Sequence, residues 1–308
     1  MSIKELPMDR FLLEGQRTSV NIGFIDGSPA QEIFSTTEIL LEAPNWHPRT
    51  NTLLLNGNGK LWTLPASGGS LTQLEIPGLP EVNNDHVLST DSESVYASTN
   101  DFHIYQAKLD GSQLARKITE ADTHIAKHLM HFLHGVSPDD KTLAFVGLGW
   151  DVEPDFNIPP SVNEIFTVAT SGGPAKQLTN TTGAIDGPEY SPDGRWIYLN
   201  SEHFSGAKGN AQICRIPSDG GPLEQLTFDE NVNWFPHFAP TGDHAVYLAF
   251  PPGTKGHPAN LDVSIKVVQS DWTHPVAEYN FFGGQGTINV NSWSPDGQSF
   301  AFVSYPKN

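Results

Sequence analysis

AIDGPEYSPDGRWIYLNSEHFSGAKGNAQICRIPSDGGPLEQLT, residues 184–227, decides the fold. Gly187–Tyr190 is a short run halted by Ser191-Pro192-Asp193-Gly194, residues that favour a tight turn. Trp196–Asn200 is rich in β-formers and reads as the returning strand. A polar loop, Ser201–Asn210, leads to a third strand at Gln212–Pro217. Ser218-Asp219-Gly220-Gly221 turns the chain into a fourth, Leu223–Thr227. The unit is a four-stranded antiparallel meander.

Weaker copies fill the chain. The first turn recurs as Ser137-Pro138-Asp139-Asp140, Ala239-Pro240-Thr241-Gly242 and Ser294-Pro295-Asp296-Gly297, with decayed forms at His47-Pro48-Arg49-Thr50 and Ser89-Thr90-Asp91-Ser92. From residue 47 to 89, 137, 191, 239 and 294 the steps are 42, 48, 54, 48 and 55 residues. Four strands per step of that length spell the blade of a β-propeller. The chain ends on half a unit, residues 291–305, and begins with the other half, residues 19–34. N-terminal outer strands should pair with C-terminal inner strands, giving an all-β, six-bladed propeller with no open sheet edge. The blades account for residues 1–308 as a single domain, with residues 1–10 a loose extension.

SPDGRWIYL, SPDDKTLAFV and SPDGQSFAFV, with SGGPAKQLT and DGGPLEQLT, resemble the TolB-like propellers built of PD40, or WD40-like, repeats. The resemblance runs from about residue 18 to 306. It is specific for architecture and mute on activity, because such propellers serve binding proteins and enzymes alike. It implies Tol–Pal partners. It also implies a leader and a preceding α/β domain, and this sequence shows neither. There is no G-x-S-x-G elbow and no room for a hydrolase domain.

The chain carries 17 basic and 35 acidic residues, a net charge of −18, with no basic cluster. That balance argues against nucleic acid and anionic membranes as partners. MSIKELPMDRFLLEG, at the start, contains no apolar run long enough for a signal or membrane span. The expected location is the cytoplasm, or the periplasm if a leader has been removed. The one cysteine, Cys214, falls in a strand of the best repeat and is expected to pack in the core.

Antiparallel bookkeeping puts the tight turns on one face of the disc and the longer loops on the other. Gly147–Asn163, Ser201–Asn210 and Pro251–Asn260 are the long ones. Long loops on a rigid scaffold are where function gathers. The inner strands converge there on a funnel, and the residues leading into them are the candidate ligand site: His86, His131, His134, Asp186, Glu189, His237, Asn289 and Asn291. Seven of the twelve histidines fall in these segments; the other five, His103 and His274 among them, look scattered. His86 and His134 hold equivalent places in adjacent blades, which makes them the candidate pair for a divalent metal. A second resemblance, to the oligogalacturonate lyases, implies a metal at the channel; Gln285, Asn289 and Asn291 stand where its ligands would lie. Trp234 or Trp150 stacking beside these polar groups would suit a sugar.

Two functions are open on these residues. One is a binding module holding a protein segment or a small polar ligand in the funnel. The other is a carbohydrate-active lyase or hydrolase, with or without a metal, using His86 or His134 as base. With no intact catalytic motif, binding is the expectation.

Overall fold

A computed structural model describes residues 10–155, 157–205 and 209–307. The loose extension expected at residues 1–10 lies, but for Arg10, outside the described residues. Six antiparallel sheets stand in a ring, and among the described residues there is no helix. Blade 4 shows the unit: Ile185–Tyr190, Trp196–Ser201, Gln212–Pro217 and Glu224–Gln225, paired in that order. Blades 1, 2, 3 and 5 begin with the inner strands Glu42–His47, Val82–Leu88, His128–Val136 and Val232–Phe238.

The repeat motifs have a hydrogen-bonding cause. The Ser191 hydroxyl donates to the Asp193 carboxylate at 2.6 Å and accepts the Trp196 N–H at 3.0 Å. Asp193 accepts the Arg195 N–H, so one Ser–Asp pair occupies the backbone donors that restart the strand. Ser89–Asp91, Ser137–Asp139 and Ser294–Asp296 repeat the arrangement. The fourth turn residue takes positive φ, which is why Gly194 and Gly297 stand there; Asp140 and Ser92 accept the same conformation at a cost. The final Thr of each QLT-type ending caps the third strand: Thr179 and Thr227 accept the N–H groups of Ile165 and Ile213. Those caps shorten the outer strands. In blade 4 only Cys214–Gln225 and Arg215–Glu224 pair, where the sequence suggested Leu223–Thr227.

Closure is as expected. Thr18–Phe24 pairs with Ser299–Ser304, Val20 facing Val303, and Gln31–Thr36 lies outside it. The innermost strand of this sixth blade is irregular, tied by the Trp293–Phe300 bridge and by Val303 N–H to the Thr287 carbonyl. Apolar clusters fill the spaces between blades; Val246, Ile265, Trp293 and Phe300 make one such wedge between blades 5 and 6. Cys214 is buried in another, where burial pushes its thiol up to about 12.

The seam yields a clean test. Val303 is fully buried in the pairing that shuts the ring. Val303→Asp would place an unpaired charge there and should cost roughly 3 kcal/mol or more. Phe228→Asp, at a side chain 78 % exposed, should change stability by less than about 0.5 kcal/mol. Urea unfolding of both variants measures the contrast.

Candidate functional site

In blades 1 to 5 the inner strand breaks register shortly before its turn, though not at an identical position in each. Pairing with the second strand jumps from Glu42 to Asn45, Val82 to His86, Leu133 to Gly135, Asp186 to Glu189 and Trp234 to His237. Ala43, Gly187 and Phe235 take positive φ inside these bulges. Pro44, Pro188 and Pro236 follow them, at points where no ladder N–H is needed. In blade 2 the Asn83 side chain accepts the Asp85 N–H and shapes the bulge. A bulge turns side chains that would alternate across the sheet toward the axis. Asp85, His134, Asp186, Trp234 and Phe235 thereby reach one funnel of about 580 Å³.

At its floor His134 Nδ1 donates to the Asn289 carbonyl at 3.0 Å. Its Nε2 faces Asp186 Oδ1 at 3.1 Å and Asp85 Oδ1 at 3.8 Å. Both ring nitrogens meet acceptors, so both carry protons and the imidazole is a buried cation. Burial would lower its pKa, but Asp85 and Asp186 outweigh it and raise the ring to about 9. The carboxylates diverge. Burial works to raise Asp186, but His134 and His257 hold it well below the usual carboxylate range. Burial dominates at Asp85 and lifts it to about 6. Asp85 is 4 % exposed and lines the funnel, and among the described residues none donates a hydrogen bond to its carboxylate.

The walls are mixed. Asn83, Asn84, Asn163 and Gln285 present amides, while Phe132, Leu148, Trp234 and Phe235 present apolar faces. His257 packs on Trp234 at 4.4 Å between ring centres, bonds the Gln285 side chain through Nδ1, and sets Nε2 3.5 Å from Asp186. Arg10, tied to Glu42 and the Gln285 carbonyl, closes one side.

Of the eight candidate residues, His134, Asp186 and Asn289 line this funnel. Glu189, His237 and Asn291 form a separate buried cluster. Glu189 bonds His237 Nδ1 at 2.5 Å and accepts Asn291 at 2.8 Å, and His237 Nε2 reaches the Ile288 carbonyl. His131 lies between blades 2 and 3, bonded to the Phe102 carbonyl and stacked on His103. His86 is fully buried, with neither ring nitrogen bonded, and burial pushes it down to about 3. The bulge separates it from His134: His86 is back in register opposite Ala97, whereas His134 is itself the skipped residue. Both His134 nitrogens donate, so neither offers a lone pair to a cation. Among the described residues, no group of three or more His, Cys, Asp or Glu is arranged to hold a metal ion.

His257 is one of the five histidines that look scattered in the sequence; its place in the long Pro251–Asn260 loop is the available signal. Of the two tryptophans, Trp234 lines the funnel, while Trp150 is buried with Phe102 and Met130.

The charges set a pH signature. His134 is raised in the fold, so its stabilisation is complete below its ordinary 6.5 and is lost as pH climbs toward about 9. Asp85 is also raised, so the folded state binds its proton more tightly and loses stability as pH rises from 3.8 to about 6. Asp186 runs the other way: its contribution is present above 3.8 and fades in more acid solution. Unfolding free energy of the wild-type protein should fall between pH 6.5 and about 9. In His134→Gln, less stable at neutral pH, that slope should flatten, and equal slopes in the two proteins would refute the buried cation.

No family model matches the chain. It is 34 % identical over 290 residues to the uncharacterized protein Atu1656 of Agrobacterium fabrum, covering 94 % of this chain and 92 % of that one. A solved structure of a "putative TolB" from Agrobacterium tumefaciens superposes with a TM-score of 0.81 at 33 % identity, over 95 % of this chain and 99 % of that one. An oligogalacturonate lyase from Vibrio parahaemolyticus aligns over 92 % of this chain and 77 % of its own, with a TM-score of 0.54. At 13 % identity that likeness is one of fold alone. The identity to the Agrobacterium proteins, sustained over nearly the whole of each, makes this chain a member of the TolB-like β-propeller family.

Proposed function

We propose that the protein is a ligand-binding propeller whose funnel takes a small polar molecule bearing hydroxyl groups, of the size of a mono- or disaccharide. The supporting observation is the Asp85 carboxylate: desolvated, facing the funnel and without a hydrogen-bond donor. A carboxylate largely withdrawn from solvent gains from any donor that completes its hydrogen bonding. A ligand hydroxyl or amine would supply that donor. The amides of Asn83, Asn84 and Asn163 add directional partners, and Trp234 and Phe235 offer faces to a ring's apolar side. A cavity of about 580 Å³ is within the usual range for small-molecule sites.

One observation favours a second reading, catalysis on the same ligand class. Asp85 is displaced upward to about 6 and Asp186 downward, which is how enzymes separate an acid from a base. Asp85 would then be the proton acceptor, and turnover of a bound sugar would distinguish this reading from binding alone.

The test is thermal unfolding against a panel of neutral, acidic and amino monosaccharides and disaccharides. A saturating ligand should raise the melting temperature by several degrees. Ala184→Trp, at the half-buried rim, should fill the funnel and abolish that rise while leaving the unliganded melting temperature nearly unchanged. A full response in the plugged variant would place the ligand elsewhere, and no response to any sugar would overturn the reading.

A further inference from the structure

We propose that the ligand of this funnel carries a positively charged amine, and that the amine docks on the Asp85 carboxylate. The inference rests on the funnel being a ligand site and narrows the class of ligand.

Asp85 and Asp186 supply two carboxylates, and His134 is the buried cation set between them, 3.1 Å from Asp186 and 3.8 Å from Asp85. Its closer bond goes to Asp186, which also has His257 at 3.5 Å. Asp85 is thus the carboxylate left without a hydrogen bond, and its side chain is 6 % exposed. A hydroxyl would give such a carboxylate one hydrogen bond and leave its charge uncancelled. An ammonium gives it a charge-assisted bond and cancels its charge inside a poorly solvated cavity, where charge is costliest.

The walls agree. Phe132, Trp234 and Phe235 turn aromatic surface toward the funnel, and aromatic faces attract cations. The other charged groups nearby do not supply what Asp85 lacks. Arg10 is committed to Glu42 and to the Gln285 carbonyl, and Lys255 is exposed at the mouth. The net charge of −18 draws cations toward the protein and repels anions.

Three pyranoses make the test: glucosamine with an ammonium, glucose with no charge, and glucuronate with a carboxylate. Their affinities are measured by calorimetry at neutral pH on the full chain. Glucosamine should bind at least tenfold more tightly than glucose, and glucuronate most weakly. Asp85→Asn removes the charge and keeps the shape. It should erase the glucosamine preference over glucose and leave the melting temperature undiminished. Glucose or glucuronate binding as well as glucosamine overturns the amine while the funnel reading stands. A glucosamine preference that survives in Asp85→Asn overturns the docking on Asp85. No binding by all three overturns the amine, and the wider panel with the Ala184→Trp plug then decides the funnel reading separately.

Discussion

The pairing of Thr18–Phe24 with Ser299–Ser304 is the constraint on which everything else rests. A ring of sheets has no end that can fray only if first and last blades are one. Here the two chain ends share a sheet, so the packing between blades 5 and 6 and between blades 6 and 1 exists only when both ends are in place. The funnel inherits this dependence. Asn289, which accepts His134 Nδ1–H through its carbonyl, belongs to the irregular inner strand of the shared blade. Arg10 reaches from the N-terminal segment to Gln285 and Glu42 across the same seam. A chain that closed wrongly would lose the site along with the fold.

Within the ring the bulges do the positioning. A regular strand would send alternate residues to opposite faces of its sheet. The break in register, with Pro or Gly or a positive φ at its centre, instead lets residues near Asp85, His134, Asp186 and Trp234 face the axis together. The result is a low-dielectric floor holding two carboxylates and one imidazolium. Such a floor is stable only while its charges are matched. Asp186 is held by His134 and His257, whereas Asp85 meets the same imidazolium only at 3.8 Å, which is why the proposed ligand contact is placed on it.

Much of this was legible in the sequence, for local reasons. The SPDG turns and QLT endings are short hydrogen-bonded devices contained within a few residues, so Ser191–Asp193 or Thr227 announces itself without tertiary context. Counting them gives the blades, and the half-units at the two ends give the closure. The site was legible only in part. Assigning His86 and His134 the same role assumed the same register in both blades, and the bulge falls differently in each. His237 and Glu189, grouped with the funnel from their repeat positions, instead bond each other and are sealed against Ile288 and Asn291. His257 comes from a loop between strands, where no repeat position marks it.

The most direct measurement is the titration of the Asp85 carboxyl carbon by 13C NMR, with the funnel empty and then saturated by a sugar that raises the melting temperature. The account predicts a free pKa of about 6 that falls on saturation, because a donor reaching Asp85 stabilises the charged form. An Asp85 titration that does not move when the ligand binds would contradict it.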